Sequence, residues 1–95
     1  MEIKHKELEH KGMFYVEVNG KRSALMTYTK HGDKLITIDH TEVDDSLRGK
    51  NIGYQLVKAG AEYARANDLK IIPVCEFAKA IFEKRAAEFE DVLKK

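Results

Sequence analysis

The chain has 95 residues, 43% hydrophobic and 35% charged, with seventeen Lys and Arg against sixteen Asp and Glu. That length predicts a single domain over residues 1–95, with no room for a second core. A net charge of +1 gives no general attraction to nucleic acid or an anionic membrane, and no apolar run approaches the roughly 20 residues that span a bilayer.

One cysteine, Cys75, cannot close an internal disulfide. The opening residues Met1-Glu2-Ile3-Lys4-His5-Lys6 lack the apolar stretch of a secretory signal. Both observations lead to the cytoplasm as the expected location. His5, His10, His31 and His40 have no metal-ligand spacing, so no metal is expected.

Residues 2–9 read as a weak, charged strand ending near Gly12. Phe14, Val16 and Val18 then alternate with Tyr15 and Glu17, the period-2 pattern of a half-buried strand. Asn19-Gly20 is a strong hairpin turn, because both central residues must accept positive φ. The partner strand covers about 21–30, with Ala24, Met26 and Tyr28 on one face. After a turn at Gly32-Asp33, the next strand covers 34–43, where alternation puts Ile36, Ile38, His40 and Glu42 on one side.

The period then changes. Ile52, Leu56, Val57, Gly60, Tyr63 and Ala64 form a helical stripe that needs a sheet to cover, and Asn67-Asp68 ends it. Leu69–Cys75 is a short, β-branched run, best read as a buried strand in which Pro73 marks an edge, a bulge or a splay. A second amphipathic helix starts near Phe77, with a candidate break at Arg85, and the charge-rich residues 83–95 read as its solvated exterior. The order β-β-β-β-α-β-α predicts an α+β fold with one mostly antiparallel sheet and two covering helices. If the fourth and fifth strands are neighbours, the helix between them makes that pair parallel.

The chemistry concentrates at Thr41–Val57. A strand ends there, a loop with Arg48, Gly49 and Lys50 follows, and a helix begins. A helix start offers unpaired N–H groups and the positive end of the macrodipole, while Gly49 and Gly53 let backbone approach a bulky anion. The physics describes a phosphate or pyrophosphate site. Neither a Walker loop nor the dinucleotide fingerprint is present.

Arg48-Gly49-Lys50-Asn51-Ile52-Gly53, followed by a helix opening Tyr54-Gln55-Leu56-Val57, resembles the Gln/Arg-x-x-Gly-x-Gly/Ala signature of the GNAT N-acetyltransferases. Asn51 stands where that pattern has its first glycine, and Asn tolerates the left-handed region better than other non-glycine residues. The likeness extends over nearly the whole chain to a short YjdJ-type subgroup, through His40-Thr41-Glu42-Val43 and through Pro73-x-Cys75 followed by x-Phe77-x-Lys79. It implies a GNAT-like core that binds acetyl-CoA, with Val43, Arg48, Gly49, Lys50, Asn51, Ile52 and Gly53 lining the cofactor and Tyr54 flanking it. It also implies an amine acceptor, a small molecule or a protein. The charge balance and the lack of an apolar span lead to no nucleic-acid or membrane partner, and a monomer or weak homodimer is expected.

Three residues are candidates for catalysis. Cys75 lies by the likeness near the acetyl thioester, as an acyl acceptor or as pocket lining; free Cys is also among the most buried residue types. Glu42 and His40 are candidate general bases, since a protonated amine must lose a proton before attack. If their face is the core, His40 is instead a satisfied structural histidine. The functional expectation is an N-acetyltransferase, and the alternative is a non-catalytic CoA-binding or interaction module of the same fold.

Overall fold

The computed structural model of the chain describes residues 2–94, so the outermost residue at each end of the expected 1–95 domain lies outside it. An antiparallel meander is formed by β1 (Lys4–Glu7), β2 (Lys11–Val18), β3 (Lys21–His31) and β4 (Leu35–Val43). A 3₁₀ turn at Asp45–Leu47 and helix α1 (Ile52–Ala66) lead to β5 (Lys70–Pro73), which pairs parallel to β4. Two short helices follow, α2 (Glu76–Lys84) and α3 (Ala86–Phe89). The expected α+β order is present, with the last helix divided at Arg85.

Local chemistry accounts for the meander. Asn19 and Gly20 both take positive φ, 54° and 79°, the twist a two-residue hairpin requires. One sheet face presents Phe14, Val16, Ala24, Met26, Tyr28, Ile36 and Ile38, all buried beneath the apolar stripe of α1. Gly60 lets the helix come close, because a Cβ there would lie 2.8 Å from the Met26 methyl. Ala78, Phe82 and Phe89 complete the same core from α2 and α3. Among the described helices none is long and apolar enough to cross a membrane.

Two features of β4 shape everything downstream. Thr27 faces His40 across the β3–β4 ladder, but Tyr28 faces Ile38, so Asp39 is an extra, bulged residue. One inserted residue inverts the alternation beyond it. Thr41 and Val43, opposite Met26 and Ala24, turn to the helix side, and His40 and Glu42 turn to the other face. The expectation that His40 and Glu42 share the face of Ile36 and Ile38 is thereby corrected: both are exposed, and His40 is not a core histidine.

The second feature is a divergence. β5 pairs with β4 only as far as Pro73 opposite Ile38, after which the Val74 and Cys75 N–H groups both donate to the Ile38 carbonyl, at 2.9 and 3.1 Å. From Asp39 to Val43 the edge of β4 that faces away from β3 has no strand partner among the described residues.

The carboxyl-terminal stretch also departs from its reading as a solvated helix exterior. The helix stops at Phe89, and Phe89 and Val92 are buried. The Ile71 N–H donates to the Val92 carbonyl at 2.7 Å, and the Lys94 N–H donates to Ile71 at 2.9 Å. The physical reason is that β5 is the last strand of the sheet, and residues 92–94 cover its otherwise unpaired outer edge.

Candidate functional site

The loop between β4 and α1 is built by a cap and two left-handed residues. The Asp44 carboxylate accepts from the Ser46 N–H at 3.0 Å, a bond that holds its pKa below the usual carboxylate value. Leu47 anchors the loop in the core. Gly49 and Asn51 take φ of 82° and 62°, so Asn51 adopts the left-handed conformation expected of it. Asn51 caps α1 without a side-chain hydrogen bond, and the first bond of the helix runs from the Gln55 N–H to the Asn51 carbonyl at 3.1 Å. The N–H groups of Ile52, Gly53 and Tyr54 are therefore first-turn donors with no acceptor inside the helix.

These donors open onto a groove of about 630 Å³. Of the residues expected to hold a cofactor, Val43, Arg48, Gly49, Asn51, Ile52, Gly53 and Tyr54 all line it. Lys50 does not; its N–H and carbonyl are used within the loop, bonded to Leu47 and to the Gln55 side chain. Arg48 pairs with Asp45 at 2.8 Å, and both side chains are largely exposed, so the pair contributes little to stability and leaves the guanidinium free to exchange partners.

The opposite wall is formed by Phe77, Ile81, Lys84 and Arg85, with Thr41 joining from β4. Sequence reasoning placed Phe77, Ile81, Lys84 and Arg85 outside the site, whereas Thr41 opened the stretch in which it expected the chemistry. The Arg85 guanidinium lies 4.1 Å from the centre of the Tyr54 ring. The Tyr54 hydroxyl donates to Glu88 at 2.5 Å, a bond that raises the tyrosine pKa. Lys79, quoted above in the family pattern, meets Glu76 at 3.5 Å and does not line the groove. No Asp or Glu lines it either.

Cys75 stands just behind the groove. It caps α2, with Sγ 3.4 Å from the Ala78 N–H and 3.4 Å from the Thr41 hydroxyl. His40 and Glu42 meet each other at 3.0 Å on the far face of the sheet, so the three catalytic candidates are divided between two faces. Among the described residues no three His, Cys, Asp or Glu side chains gather as metal ligands would.

The sequence profile of the GCN5-related N-acetyltransferases matches residues 13–92. The chain belongs to that family. A GCN5-like protein from Staphylococcus aureus has the same fold, with a TM-score of 0.73 and 40% identity, covering 96% of this chain and 87% of its own. Protein NATD1 of Xenopus tropicalis is 36% identical over 63 residues, which are 65% of this chain and 58% of NATD1. The matched segment thus spans less than two thirds of that relative. An aminoglycoside N-acetyltransferase in complex with CoA superposes with a TM-score of 0.64 over 93% of this chain and 74% of its own. Its identity of 12% makes that a likeness of fold alone. The GNAT family is therefore established here by sequence, and the α+β core by structure.

Proposed function

We propose that this GNAT domain binds acetyl-CoA in the groove and transfers the acetyl group to a primary amine. The observation that carries the reading is that the unpaired edge of β4 and the unclaimed amides of α1 open onto one groove. The ligand that fits has a pyrophosphate at one end and an amide-bearing arm at the other. The pyrophosphate takes the Ile52, Gly53 and Tyr54 N–H groups with Arg48, and the pantetheine arm adds to the free edge near Val43 as another strand would. The fold neighbour held in complex with CoA supports this choice of cofactor.

In the transfer, the amine nitrogen attacks the thioester carbonyl, the C–N bond forms, the C–S bond breaks, and the proton that the nitrogen then loses goes to the departing sulfur, so that CoA leaves as the thiol. The ammonium proton passes to Glu42 or His40 before attack. Both lie across the sheet from the groove, so the acceptor enters from that face through the gap between β4 and β5. Cys75, one hydrogen bond behind Thr41, lines the thioester end or accepts the acetyl group itself. On this reading the chain is a minimal, YjdJ-type member of its family, cytoplasmic, and a monomer or weak homodimer. Its acceptor is a small molecule or a protein.

One observation favours a second reading. Among the described residues no carboxylate or imidazole lines the groove, which fits a non-catalytic CoA-binding module. Calorimetric titration with acetyl-CoA, repeated on Arg48→Glu, tests the site: saturable binding that the reversal abolishes supports it, and absence of heat at millimolar ligand ends the acetyl-CoA reading. Turnover with a panel of amines then separates the enzyme from the binder.

A further inference from the structure

The Lys84–Arg85 end of the groove is not accounted for by the pyrophosphate loop. Two cations project there from the end of α2, and Lys84 takes part in no ion pair among the described residues. Arg85 reaches its one carboxylate, Glu88, at 3.8 Å, a separation too long for a hydrogen bond. The helix break at Arg85, with φ −120° and ψ 44°, coincides with the stacking of its guanidinium on Tyr54. Glu88 fixes that ring from behind through the tyrosine hydroxyl. Stacking orders the guanidinium and leaves its N–H fork free, the form in which arginine best receives a phosphate monoester.

Tyr54 belongs to the first turn of α1, so Arg85 stands beside the amides that face the groove. The groove therefore carries Lys84 and Arg85 next to the first-turn amides, with no Asp or Glu side chain in its lining. Resting on the reading of the groove as a CoA site, we infer that Lys84 and Arg85 bind the 3′-phosphate on the nucleotide ribose. The domain thereby selects CoA over its 3′-dephospho form.

The test is calorimetric titration of the wild type, Arg85→Met and Lys84→Gln with CoA and with 3′-dephospho-CoA. Melting temperatures without ligand establish that each variant is folded; the methionine keeps the apolar contact with Tyr54. The wild type is expected to prefer CoA by roughly tenfold or more, the scale of a charge-assisted contact. Arg85→Met removes most of that preference and Lys84→Gln part of it, each weakening CoA more than 3′-dephospho-CoA. Equal affinity of the wild type for the two ligands overturns the inference and leaves the CoA reading standing. So does an Arg85→Met variant that weakens both ligands alike. Failure of both ligands to bind the wild type removes the CoA reading and this inference together.

Discussion

The ring of Phe77 lies against the α-carbon of Gly53, so close that a Cβ at position 53 would overlap Cζ and Cε1 of the ring. Gly53 thus has a packing role across the groove as well as an open face toward a ligand. Phe77 itself is 45% exposed, so its ring can swing away.

Gly53→Ala is consequently expected to act through Phe77. In an ordinary helix the change stabilises by about 0.5–1 kcal/mol. Here the gain is offset by displacement of the ring, so the substitution is near neutral or destabilising in the wild type. In a Phe77→Ala background the full gain returns. Urea unfolding of the four members of this double-mutant cycle measures the coupling, and additivity would show that the two residues do not meet.

The bulge at Asp39 makes a second claim. His40→Ala is expected to change stability by no more than about 0.5 kcal/mol, as at other exposed positions. A histidine on the core face, hydrogen-bonded and enclosed, would cost several times that. Chemical denaturation distinguishes the two, and a loss above about 2 kcal/mol would contradict the exposed placement.

These two cases mark what was legible in the chain. The meander, the α1 stripe and the left-handed role of Asn51 depend on local chemistry, and so could be read residue by residue. The bulge could not. Thr37, Asp39 and Thr41 are polar on either register, so nothing in their composition records that alternation inverts between Ile38 and His40. Arg85 and Lys84 escaped for another reason: they reach the groove beside Tyr54 only because α2 packs near the start of α1. The break near Arg85 was a visible signal, but it pointed to a helix end and carried no information about what that end would meet.

Acidification should loosen the sheet through β1. His5 stacks on Phe14 with ring centroids 4.1 Å apart, and its Nε2 lies 2.7 Å from the Tyr28 hydroxyl. Partial desolvation of the ring lowers its pKa below the ordinary 6.5, although the residue keeps an exposed side, with Glu7 opposing the shift and Lys30 reinforcing it. The folded state therefore favours the neutral ring. Its contribution is fully present above about pH 6.5 and is lost as pH falls through the folded-state value. Glu7, held low chiefly by Lys30 and then by Tyr63, adds its own loss only at more acidic pH, below the ordinary 4.5. His5→Gln should show a smaller drop in Tm than the wild type between about pH 7.5 and 5.5. Parallel pH profiles would exclude His5 as the titrating group.

The carboxyl-terminal segment belongs to the core and supports the groove. Phe89 is 1% exposed, stacks on Phe82 with centroids 5.3 Å apart, and approaches Tyr54 at 6.2 Å. Phe89→Ala should cost about 3–5 kcal/mol, a large share of the roughly 5–15 kcal/mol of a whole domain. Glu90→Ala, one residue on and exposed, should stay within about 0.5 kcal/mol. Urea midpoints of the two variants decide the matter. A small loss for Phe89→Ala would mean that the last residues merely lie on the surface, and that Tyr54 has no hydrophobic backing behind the ring that Arg85 covers.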